Sequence, residues 1–123
     1  MNNAMWTRLT IRMLARYTQM HKVLGSLPTP VLLASPHDEL TPSEMIESAA
    51  RARDTLSGML MHREARAALK TGVTDWLTGT VLMATGTRDE EDARWAYPAA
   101  MLAFDRAGEE LDQAVILLHR NEE

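Results

Sequence analysis

Four histidines, seventeen acidic residues and no cysteine are what this 123-residue chain offers for chemistry. A carboxylate-bridged metal pair inside a helical bundle needs a glutamate three residues before a histidine, so that both ligands leave one helix face toward the same ion. None of His21, His37, His62 or His119 has one. Glu44 with Glu47, and Glu109 with Asp112, stand at helical neighbour spacing. Both pairs fall among polar positions and read as solvated surface. His62 and His119 could approach each other between antiparallel helices, and they are where a pocket of perturbed ionisable groups would first be sought. Nucleophilic chemistry lacks its parts, for there is no Gly-x-Ser-x-Gly elbow and no glycine-rich phosphate loop. The missing cysteines remove thiol catalysis, disulfides and zinc-thiolate sites together. The sequence names no catalytic residue, no metal ligand and no cofactor, and the chain is expected not to be an enzyme.

Charge points toward recognition instead. The net charge of −4 is mild, but its distribution is polarised. Residues 1–37 carry Arg8, Arg12, Arg16 and Lys22 without one acid, whereas residues 88–123 carry ten acids against four bases. Arg8, Arg12 and Arg16 step by four along one helix face. They form either a docking face for something acidic or the mate of the acidic last helix, and the second reading needs fewer assumptions. A basic amphipathic helix with Trp6 near its start also has the look of a membrane-surface helix, yet its apolar residues repeat at the spacing of a helix that packs. Ala68, Gly72, Val73, Thr74 and Val81 match part of a helix-turn-helix skeleton around residues 68–81. The match is degenerate, because Thr71 and Thr78 stand where apolar packing residues belong and no base follows Lys70 until Arg88.

These side chains must be carried by helices. Trp6, Leu9, Met13, Tyr17, Met20 and Leu24 follow a three-four rhythm that predicts a first helix over about 4–24, ended by Gly25. A connector punctuated by Pro28, Pro30 and Pro36 follows, with room for two short helical turns and with Val31, Leu32 and Leu33 expected against the core. Thr41-Pro42-Ser43-Glu44 spells a capping box, in which a threonine hydroxyl and a glutamate carboxylate exchange hydrogen bonds with each other's backbone amides. A long second helix should start there and run over 42–70. In this reading Gly58 lies in its interior, at a cost of about 1 kcal/mol against alanine, and Gly72 caps its end. A third helix over 73–85 is weakened by its threonines and Gly79, so a short extended stretch at Thr80–Met83 is an alternative. Acids after Thr87 start the last helix, 89–119, with Pro98 expected to kink it.

That last helix writes the clearest pattern in the chain. Tyr97, Met101, Phe104, Gly108, Leu111, Val115 and Leu118 alternate steps of four and three beside a stripe of Ala93, Ala96, Ala100, Ala103, Ala107 and Ala114. So wide an apolar face must be covered. The expectation is therefore one all-α domain spanning 1–123, an antiparallel bundle of about four helices, two long, one medium and one short. It acts as a non-catalytic protein-interaction module, a small adaptor, inhibitor or regulatory protein in the cytoplasm. Its contact residues are Tyr97, Met101, Phe104, Leu111, Val115 and Leu118, which meet either a second copy in a homodimer or another protein, with Arg8, Arg12 and Arg16 as a docking face. Nucleic-acid binding through the first helix or the degenerate motif is the alternative, followed by a small-molecule pocket or enzyme. No apolar run is long enough to cross a membrane.

Overall fold

A computed structural model describes residues 3–37 and 39–122. It shows four α-helices and, among the described residues, no strand: α1 (Asn3–Gly25), α2 (Pro42–Ser57), α3 (Arg63–Gly86) and α4 (Glu90–Glu122). The all-α bundle expected from the periodicity is what the chain forms. One apolar core is shared by all four helices and by Leu27, Val31 and Leu33 of the connector.

The capping box closes as the sequence predicts. The amide of Glu44 donates to Thr41 Oγ1 at 3.2 Å, and the amide of Thr41 donates to Glu44 Oε1 at 3.4 Å. Pro42 sits in the first turn, where its missing N–H costs nothing. At the start of α4 the cap is Asp89, whose Oδ1 accepts from the Asp92 amide at 2.7 Å. Among its described residues the connector contains no helix, only hydrogen-bonded turns at its two ends. It tucks in Val31 and Leu33, while Leu32 between them stays 79% exposed.

The boundary between the second and third helices differs from the expectation, because two glycines exchange roles. Gly58 ends α2 by donating its amide to the carbonyls of Thr55 and Leu56, and residues 58–62 turn the chain back. Gly72 lies inside α3, where the missing side chain leaves room for Leu111. Residues 80–83 are helical too. The threonines are accommodated by bonding back to the preceding turn, Thr78 to Thr74 O at 3.0 Å and Thr85 to Val81 O at 3.0 Å.

Gly72 opens a series. Gly72, Gly79 and Gly86 recur every seven residues on α3 and receive Leu111, Phe104 and Tyr97, which recur every seven residues on α4 in the opposite direction. Large side chains of one helix thus fill notches in an antiparallel neighbour, with the Ala107 carbonyl also close to Gly72, and Ala96, Ala100, Ala103 and Ala107 of α4 are buried. α4 runs through Pro98 without a break. Pro98 is on the exposed side, where water can serve the carbonyl left without a helical donor.

α1 runs parallel to α4, with Trp6 beside Tyr97 (ring centroids 6.0 Å apart) and Gln19 Nε2 donating to Asp112 Oδ1 at 2.9 Å. It joins the other helices through Tyr17 and Trp76, whose centroids are 5.4 Å apart, and through Trp76 Nε1 donating to Met13 O at 2.9 Å. The Tyr17 hydroxyl donates to Ala34 O and lies 3.1 Å from Ser48 Oγ, tying α1 to the connector and α2. Burial raises the Tyr17 pKa above its ordinary value, and the Ser48 hydrogen bond opposes that rise.

A folded-state pKa above the unfolded one means that this tyrosine's contribution is complete below about pH 10. It is lost as pH climbs through the folded value. Tyr17→Phe should therefore lower Tm at neutral pH by removing the Ala34 bond, at a cost of about 1 kcal/mol, yet flatten the fall in Tm at alkaline pH. A fall as steep as that of the unmodified chain would show that another group dominates there.

Candidate functional site

The side chains expected at an interface between chains lie mostly inside this one. Tyr97, Phe104 and Leu111 are 3%, 0% and 0% exposed, because the glycine notches of α3 enclose them. That corrects the expectation that these three meet a partner, since a surface already closed within the fold has no apolar area left to bury. Met101, Val115 and Leu118 are half-buried and pack on the edge of the same core.

The arginine face is also partly used. Arg12 forms an ion pair with Asp105 of α4. Arg16 lies over Gly108, where any side chain would collide with its guanidinium, and donates to Gln19 Oε1 at 2.7 Å. Its buried Nε has no partner among the described residues. Gln19 in turn reaches Asp112 and, at 3.4 Å, the carbonyl of Gly108. The basic first helix is thus the mate of the acidic fourth, each exposed pair contributing about 0.2–1 kcal/mol. Arg12 and Arg16 are engaged within the chain, and Arg8 alone of the three is exposed rather than half-buried.

Two alternatives that the sequence already disfavoured fall away. Residues 68–81 lie in the middle of one continuous helix, so the helix-turn-helix skeleton is absent: its supposed turn glycine is the notch for Leu111. The apolar face of α1, with Leu9, Tyr17, Met20 and Leu24 each at most 1% exposed, is buried in the core and unavailable to a membrane surface. No helix among the described residues is long and apolar enough to cross a membrane. His62 begins the turn into α3 and lines a cavity of about 240 Å³ with Met59, Met61 and Leu118, while His119 is exposed. No three metal-ligating side chains converge among the described residues.

Part of what remains open lies on the outside of α4. Trp95 is 53% exposed and Leu102 is 54% exposed. Seven residues apart, they stand two helical turns from one another on one face, with exposed Pro98 between them. Beside this face a groove of about 560 Å³ runs between α4 and α1, lined by Met5, Arg8, Arg12, Pro98, Met101, Leu102 and Asp105. Its apolar floor comes from Met5, Met101 and Leu102, and its rim carries the exposed Arg8 beside the Arg12–Asp105 pair. Exposed apolar residues elsewhere include Val81 on α3, Leu32 and Leu60 outside the helices, and Ile11 with Leu14 three residues apart on α1, but none of these lines the groove between α4 and α1.

Periodicity could have found this face. It passes over Trp95 and Leu102 because they sit on the polar side of α4, where an apolar residue contributes nothing to the internal pattern. Their seven-residue separation on that side is the signal. Compared with known protein families, characterised proteins and solved structures, the chain matches none.

Proposed function

We propose that this chain is a non-catalytic protein-interaction module, a small adaptor or regulatory protein, whose contact surface is the outer face of α4 from Trp95 to Leu102 with the Arg8 flank of α1. The observation that supports it is the pair of large apolar side chains left half in water beside an apolar-floored groove, in a fold whose own seam is already closed. Tryptophan and arginine are the side chains that most often anchor interfaces, because each buries a large rigid surface and still offers directed polar contacts. The surface fits a partner segment carrying apolar side chains with a carboxylate for Arg8.

A photo-crosslinking residue placed at Leu102, and for comparison at exposed Gln113, tests the reading in cells of the native host. Adducts from position 102 that weaken with Trp95→Ala are expected. Adducts equally strong from Gln113, or none from position 102, would overturn it.

A further inference from the structure

The outer face of α4 is complementary to itself when turned end for end, and we infer that its occupant is a second copy of this chain, packed antiparallel across a two-fold axis between Pro98 and Ala99. The inference rests on the contact surface proposed above and names what covers it. Along that face the residues run Glu91, Trp95, Pro98, Leu102, Arg106 and Glu109, in steps of four, three, four, four and three, which is the spacing of one helical stripe. Rotation about a point between 98 and 99 brings Trp95 opposite the partner's Leu102 and Glu91 opposite the partner's Arg106. Arg88, in the turn just before the helix, lies toward the end of the stripe where the partner's Glu109 falls. A two-fold interface repeats each contact, so one stripe supplies two aromatic-on-leucine pairs and up to four ion pairs.

Charge favours this register over two other arrangements of the same stripe. Packing the two helices parallel in register sets Glu91 against the partner's Glu91 and Arg106 against the partner's Arg106. An antiparallel axis midway between Leu102 and exposed Ile116 sets Glu109 against the partner's Glu109. Like charges facing each other disfavour both. Around the 98–99 axis every charged residue of the stripe meets its opposite.

The residues lie at the surface. Arg88, Glu91, Arg106 and Glu109 are all exposed, and among the described residues the ion pairs are Arg12–Asp105 and Glu47–Arg51. Arg106 acts within its own chain on Asp75, whose carboxyl is raised by burial and lowered by that guanidinium. Pro98 and half-buried Ala99 at the axis carry short side chains, which lets the two helices approach while Trp95 spreads over Leu102.

Light scattering on the eluting protein should show a mass rising with concentration from 13.8 kDa toward twice that value. Glu91→Arg and Arg106→Glu should each weaken association about tenfold or more, because each creates two like-charge contacts per dimer. Circular dichroism should be unchanged for both. Combining the two reversals should restore the dimer, an outcome that only this register gives. Because the chain has no cysteine, Ala99→Cys should cross-link to its own symmetry mate on mild oxidation, whereas Gln113→Cys should not. A mass of one chain at all concentrations, with no cross-link from Ala99→Cys, overturns the inference. Adducts of Leu102 with another protein would then still support the contact surface. A dimer that ignores both reversals, or that the double reversal fails to restore, overturns the inference as well.

Discussion

Gly79→Leu should unfold this domain or bring it close to unfolding. A Cβ at position 79 would stand 2.5 Å from one carbon of the Phe104 ring and 2.8 Å from two others. That ring is fully buried and has nowhere to turn. Relief requires α4 to move off α3, yet Gly72 against Leu111 and Gly86 against Tyr97 hold the same pair of helices one heptad to either side. Overpacking a core costs about 1–3 kcal/mol and sometimes more. Leucine adds three further carbons to the collision, so a loss of at least about 3 kcal/mol is expected, a large part of the ~5–15 kcal/mol that holds a domain together. The urea midpoint should fall accordingly. Gly58→Ala is the control, since the nearest atom to its Cβ is Thr55 O at 3.9 Å and its φ of −101° suits any residue. It should leave stability unchanged or raise it by about 0.4–1 kcal/mol. Combining Gly79→Leu with Phe104→Ala should cost less than the two changes added together, because the cavity of one receives the bulk of the other. Strict additivity would place the two side chains apart.

Leu111→Glu should be as severe for a different reason. Leu111 is fully buried against the Gly72 notch, so a carboxylate there would lose its water and gain no partner. An unpaired charge in such a place either keeps the chain unfolded or takes up a proton, and both outcomes cost several kcal/mol. Leu102→Glu carries the identical change of side chain two and a half turns away, on an exposed face. It should fold with a Tm near that of the unmodified chain. If the seam closed between chains instead, Leu111→Glu would give a folded monomer.

What the sequence disclosed and what it withheld follow from the range of each interaction. The Thr41–Glu44 box, the rhythm of α1 and the seam of α4 depend on neighbours within a few residues, so spacing alone reveals them. A glycine is ambiguous at that range. Gly58 and Gly72 look alike in a string of letters, and only the approach of Leu111, thirty-nine residues beyond Gly72, decides which one ends a helix and which one admits a neighbour. The three glycines at 72, 79 and 86 together with Leu111, Phe104 and Tyr97 do carry that answer, as two heptads read in opposite directions. Whether the seam closes within one chain was withheld for the same reason. Arg12 and Arg16 were legible as a charged face, but their ends are fixed by Asp105 and Gly108, ninety-three and ninety-two residues away.

In this molecule the seam closes within one chain and the outer face of α4 stays open in the monomer. Thiol labelling in this cysteine-free background reads both at once, with Leu111→Cys and Leu102→Cys measured at several protein concentrations. Leu102→Cys should react near the rate of an unfolded thiol in dilute solution, and Leu111→Cys at least about a hundredfold more slowly, with protection independent of concentration. Rapid labelling of Leu111→Cys, or protection that fades on dilution, would contradict this and mean that another chain covers the seam.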